Sequence, residues 1–219
     1  MPDARNLLGW LLVGVVGAVG AGAAILGVSQ APGSATLSQA ITNTLRAPNY
    51  EEVFTESMPE GSETGYLTYQ APDRLGGYIE SAGRRTYVYI VGDTQYQSVT
   101  VGRGASTAHL VFYRQHSLEP VSAVDPVQYY LRFEHLARRF SARGTTYTVT
   151  ITRSGQTGIL GYQVSGQYIG RVVIEAPQQA SSVVVTISQV GTAPPTGLPP
   201  GARVVGAVPA LPGTTTSPS

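Results

Sequence analysis

The stretch Thr145–Thr152 reads TTYTVTIT. Tyr147, Val149 and Ile151 fall on one side of an extended chain, and Thr146, Thr148, Thr150 and Thr152 fall on the other. Such a period of two belongs to a strand with one buried face. The same kind of segment recurs along most of the chain, each one closed by turn residues. Tyr50–Ser57 stops at PEGS and Glu63–Gln70 stops at APDR. Leu75–Ser81 stops near Gly83, Arg85–Val91 at Gly92-Asp93 and Thr94–Val101 at GRG. His109–Gln115 follows, and after Thr145–Thr152 come Ile159–Ser165, Tyr168–Glu175 and Ser182–Ser188. Parallel neighbours need a crossover of about a dozen residues, whereas short turns connect antiparallel ones. The expected sheet is therefore large, curved and antiparallel.

Two segments change period. Leu37, Ile41 and Leu45 make one apolar stripe within Ser34–Ala47, with Ser34 or Thr36 to cap its start and Pro48 to close it. Asp125-Pro126 is a helix start, an acid at the cap and proline in the first turn. Val127, Tyr130, Leu131, Ala137 and Phe140 continue that face to about Phe140. Strands with a few helices make the class α+β.

The ends are different in kind. Leu7–Val28 is 22 residues without a charge or a proline. A membrane-spanning helix needs about 20 such residues, and a secretory signal core about 7–15. Residues 1–30 read as a transmembrane anchor, with a cleaved export signal as the alternative because Ala21-Gly22-Ala23 has the small-x-small form. Either reading puts the domain, residues 31–192, outside the cytoplasm: anchored at the cytoplasmic membrane by one pass, or secreted. From Gly191 the sequence becomes rich in Pro, Gly, Ser and Thr, and residues 193–219 read as a disordered tail.

Composition narrows the chemistry. Net charge is +1, and the fourteen basic residues are all arginine, paired only at Arg84-Arg85 and Arg138-Arg139. That is not a nucleic-acid footprint. The chain has no cysteine, which excludes disulfides, thiolate metal sites and a lipid-modified cysteine. His109, His116 and His135 do not have a metal spacing, and no metal or other cofactor is expected. Asp93 reads as a turn residue, and Gly102–Ser106 as a hairpin loop without the Gly-Lys of a phosphate loop. There is no G-x-S-x-G, and no carboxylate pair points to glycoside hydrolysis. Nothing suggests an enzyme.

The order of a membrane segment, a helix, two strands, YQAPDRL, a glycine turn and YIVGDTQYQS resembles the LolA-like lipoprotein-carrier superfamily. It is most similar to the actinobacterial lipid-binding lipoproteins of the LppX and LprG type. Ala71-Pro72-Asp73-Arg74 and Gly92-Asp93-Thr94-Gln95-Tyr96 carry the likeness, which covers about Ser34 to Pro195. The lipobox cysteine of that branch is missing, so its lipid tether is not available to this chain. The resemblance implies a half-barrel sheet whose concave face is covered by helices, with an apolar cavity for acyl chains between them.

Under that implication the cavity is lined by Leu67, Val88, Ile90, Leu110 and Phe112 from the first strands. Tyr147, Val149, Ile151, Tyr162, Val172, Ile174, Val183, Val185 and Ile187 line it from the later ones. Tyr87 and Tyr89 then lie on the convex side with their hydroxyls in water. The same apolar residues equally suit a filled core, because both want the same side chains. Two functions follow from this reading. One is a carrier that holds a lipid or acylated molecule at the membrane, its helices serving as a lid. The other is a membrane-anchored sensor or regulator that binds a protein partner in the cell envelope.

Overall fold

A computed structural model of the chain describes residues 36–104, 110–117, 119–132, 140–153 and 156–206. The apolar segment 7–28 lies outside them, as do His109 and His135. Among the described residues no helix is long and apolar enough to cross a membrane.

The strands are β1 (Asn49–Met58), β2 (Gly61–Gln70), β3 (Arg74–Ser81), β4 (Arg84–Val91), β5 (Thr94–Ser98), β6 (Val101–Gly102) and β7 (Val111–His116). After the helical segment come β8 (Ser141–Arg143), β9 (Thr146–Arg153), β10 (Gln156–Ser165), β11 (Tyr168–Ala176), β12 (Ser181–Ser188) and β13 (Arg203–Val205). They form one open, curved sheet in the order β13-β7-β5-β4-β3-β2-β1-β12-β11-β10-β9-β8, with β6 beside β4. Among the described residues, all pairings are antiparallel except β13 with β7. Two meanders thus meet where β1 pairs β12, Glu52 opposite Ile187 and Glu56 opposite Val183.

This order fixes where the helices lie. The chain leaves β7 near one edge and must reach β8 at the other, so its connection has to cross a face of the sheet. That connection carries α2 (Val121–Val124) and α3 (Pro126–Leu131). Asp125 caps α3, as the Asp-Pro pair implied, accepting from the Gln128 N–H at 2.6 Å. The described helix runs to Leu131; residues 133–139, over which the sequence continues the helical face, lie outside the described residues.

The N-terminal helix, α1 (Leu37–Leu45), is closed by a reciprocal cap in which the Thr36 hydroxyl accepts from Gln39 N–H and Gln39 Oε1 accepts from Thr36 N–H. It packs on β10 and β11. The Thr44 hydroxyl accepts from the Ile169 N–H at 2.9 Å, which ties the helix to the strand. Leu37 and Ile41 of its stripe are buried with the sheet's concave side chains.

The convex side corrects two expectations. Val88 and Ile90 do face the helices, and Tyr87 and Tyr89 face away from them. The tyrosines are nevertheless covered, at 7% and 9% exposure. Their cover comes partly from the segment expected to be a disordered tail. Gly191 and Ala193 donate their N–H groups to the Asn49 carbonyl and side chain, both at 2.9 Å. The chain then crosses the convex face, placing Leu198 and Ala202 on the tyrosine cluster, and ends in β13 against β7. An aromatic face gives a Pro/Gly-rich strap apolar surface to bury, so residues 193–206 are part of the domain.

Candidate functional site

The β1 strand alternates Tyr50, Glu52, Phe54 and Glu56 on its concave side, and all four are buried. Two carboxylates on a core face are costly unless they find partners or keep a proton. Glu52 and Glu56 are each only 1% exposed, and Asp125, above them at the start of α3, is fully buried.

Glu52, Asp125, Tyr50 and Gln128 form a network. The Tyr50 hydroxyl lies 3.0 Å from both Asp125 oxygens and donates to that carboxyl. Gln128 Nε2 donates to the Tyr50 oxygen at 3.3 Å. The Val127 N–H donates to Glu52 Oε2 at 3.3 Å, while Glu52 Oε1 has no partner. Burial pushes Asp125 up to about 7, against the hydrogen bonds from Gln128 and Tyr50 that favour its charged form. Burial, and then the Asp125 charge, hold Glu52 well above the carboxylate range. The Tyr50 hydroxyl is also raised, first by burial and then by Asp125 and Glu52. The network fastens α3 to β1. A further bond, from the Tyr162 hydroxyl to the Tyr130 carbonyl at 2.8 Å, fastens it to β10.

Beside this network is a void between sheet and helices. Phe54, Leu67, Leu75, Ile79, Val88 and Val183 line it from the sheet, Val124, Pro126 and Tyr130 from the helices, and Glu56 contributes its carboxyl. Water-sized spheres can be centred in about 30 Å³ of it. One water needs about 10–15 Å³ on this measure, so the void admits about two waters. An acyl chain does not fit in this conformation. Glu56 Oε2 is buried without a hydrogen-bond partner. Burial pushes Glu56 up to about 7, with the Glu63 and Glu60 charges acting in the same direction.

Of the residues expected to line a cavity, Leu67, Val88 and Val183 reach the void. Ile90, Tyr147, Val149, Ile151, Tyr162, Val172, Ile174, Val185 and Ile187 share its face as packed core. Leu110 and Phe112 do not belong there. They sit in the convex cluster with Tyr87 and Tyr89. Pairing explains this: Phe112 is opposite Ser98, and Tyr96, two residues before Ser98 on β5, is opposite Tyr89. Paired residues share a face, and a shift of one residue reverses it. Glu52, Glu56 and Asp125 were missed. The signal was present, since the two glutamates are in phase with Tyr50 and Phe54 in the sequence.

Among the described residues no three His, Asp or Glu side chains group as a metal set. His116 is exposed, 3.9 Å from the Asp93 carboxylate.

No protein-family model matches the chain. No curated protein matches it. Among solved structures it is similar to LprF from Mycobacterium bovis, at 14% identity over 78% of this chain and 100% of that one, with a TM-score of 0.43. It is also similar to an uncharacterized conserved protein from Thermus thermophilus, at 11% identity over 78% and 99%, with a TM-score of 0.40. The sheet that these comparisons concern is large, open and curved, antiparallel except where β13 meets β7, with few helices on its inner face.

Proposed function

We propose that the domain holds the apolar chain of a lipid or acylated molecule between the concave face and α2–α3, on the outer side of the cytoplasmic membrane. The observation that carries this is the void itself. It lies where the two short helices meet the sheet, and apart from Glu56 it is lined mainly by apolar side chains. In the closed form it admits water, so a chain enters only as α2 and α3 lift from the sheet. Those helices are four and six residues long. Their apolar side chains Val121, Val124, Val127, Tyr130 and Leu131 are buried, so a chain that lifts them has to replace that apolar contact with its own.

No bond is broken in such a function. A chain passes from bilayer to cavity between two apolar surroundings, whereas escape into water costs about 0.8 kcal/mol per methylene, on the order of 12 kcal/mol for sixteen carbons. A closed lid therefore retains its cargo until another apolar acceptor is offered. The small closed void favours a second reading, a regulator domain that binds a protein partner and no lipid.

One experiment separates them. The full chain is purified in a mild detergent and examined by native mass spectrometry with organic extraction, and hydrogen exchange is followed across residues 121–131 with and without envelope lipid. Co-purifying acylated mass, with exchange in α2–α3 altered by lipid, is the expected result. A clean mass and unchanged exchange after lipid incubation would overturn the carrier reading.

A further inference from the structure

Among the described residues, Glu56 is the one charged side chain in the lining of the void. It is 1% exposed, and its Oε2 has no hydrogen-bond partner. A carboxyl oxygen in this position costs on the order of 1–3 kcal/mol unless something donates to it. The void beside it is large enough for water, which can donate. A ligand that displaces such a water holds its affinity only if it reproduces the hydrogen bond. A bare methylene at this point strands the carboxyl, and a second anion there adds like-charge repulsion. The ionisable groups around it do not relieve this. Glu63 is opposite Glu56 on β2, Glu60 is in the adjoining turn, and both act to disfavour more negative charge. Tyr130 faces it from α3.

We propose that Glu56 recognises the head of the bound molecule, selecting chains whose apolar part ends in a hydrogen-bond donor, a hydroxyl or an amine, over chains that end in a carboxylate. This rests on the acyl-chain reading of the cavity. The assignment follows from geometry: the carboxyl is fixed on a central strand, flanked by β2 and β12, and the rest of the lining is mainly apolar.

The test uses three probes of equal chain length: 1-hexadecanol, hexadecylamine and hexadecanoate. Each is titrated into the full chain in detergent at pH 8.5, where the Glu56 carboxyl is ionised, and the adduct is measured by native mass spectrometry. Wild type is expected to bind the alcohol and the amine at least tenfold more tightly than the carboxylate. E56Q, nearly isosteric, can still accept from a hydroxyl and can now donate to a carboxylate, so it keeps the alcohol and gains hexadecanoate. E56M offers neither and is expected to lose the discrimination among the three. Circular dichroism melts of both variants establish that they fold. Wild type binding all three probes alike, or E56M discriminating as wild type does, would overturn the role of Glu56 and leave the cavity reading standing. No adduct with any probe would remove the cavity reading, and this inference with it.

Discussion

Asp125 gives the domain an unusual pH dependence that can be measured with one substitution. Its carboxyl is raised from 3.8 to about 7 in the folded chain, chiefly by burial. Between those values the folded state binds a proton that the unfolded state has released. Stability from this group is therefore fully present below about pH 4 and is lost as pH rises through about 7. A shift of about 3 units at about 1.4 kcal/mol each is on the order of 4 kcal/mol. In D125N the side chain still caps α3, because asparagine is as good an N-cap as aspartate, but it cannot ionise. The variant should gain on wild type between pH 5 and pH 8 by about 3 kcal/mol, because about two of those three units lie above pH 5. For a domain of this size that is roughly 6–12 °C in Tm. The assay is thermal unfolding of the full chain and of D125N by circular dichroism, at half-unit steps from pH 5 to 8.5, reading the difference between the two. Carboxylates elsewhere cancel in that difference except Glu52, which the Asp125 charge helps to hold up; without that charge its own cost of ionisation falls, in the same direction. A difference that stays constant across the range, or that favours wild type at pH 8, would refute the account of a buried carboxyl held against its charge.

Three further outcomes follow from named contacts. In Y50F the Asp125 carboxyl loses the hydroxyl that donates to it and Gln128 Nε2 loses its acceptor, so urea unfolding should show a loss of about 1–3 kcal/mol; a change under about 0.5 kcal/mol would mean the network does not hold α3. A methyl group on Gly65 would run into the Phe54 ring, and the ring borders the void. G65A should cost about 1–3 kcal/mol and narrow the cavity, seen as reduced chain adducts; unchanged stability would mean the ring is not confined. Stopping the chain at Gly197 removes Leu198, Ala202 and β13 from the convex tyrosine cluster. Its Tm should fall and its binding of a hydrophobic dye should rise, from the loss of about 2 kcal/mol or more of apolar burial. A truncated chain that melts with wild type would show the strap to be dispensable.

Much of the fold was legible because it is local. The segments from Tyr50 to Gln115 and from Thr145 to Ser188 show a period of two and end at turn residues, and the observed strands agree with them to within a few residues. Thr94–Val101 was split, since β5 ends at Ser98 and β6 begins at Val101. Faces were less legible. On β4 both sides are apolar or aromatic, so alternation alone could not say that the tyrosines would be covered. On β7 the parity of Phe112 depends on pairing with β5, which no property of β7 itself encodes. The site was least legible of all. Glutamates in a strand ordinarily mark the wet side, and on β1 Glu51 takes that side while Glu52 and Glu56 turn inward.

By itself the sequence determined the elements: where strands run, where glycine and proline turn the chain, and which helix Thr36 or Asp125 caps. These are set by steric limits and hydrogen bonds within a few residues. The tertiary structure decided what those elements enclose. Pairing β1 with β12 joins residues such as Glu52 and Ile187, far apart in the chain, and makes two meanders one sheet. The same pairing makes β1 a central strand, so its inward carboxylates are buried under α3 and their ordinary preference for ionisation is reversed. Burial depends on what the rest of the chain places overhead, and that is why a cavity with an acid in its wall becomes visible only once the sheet is assembled.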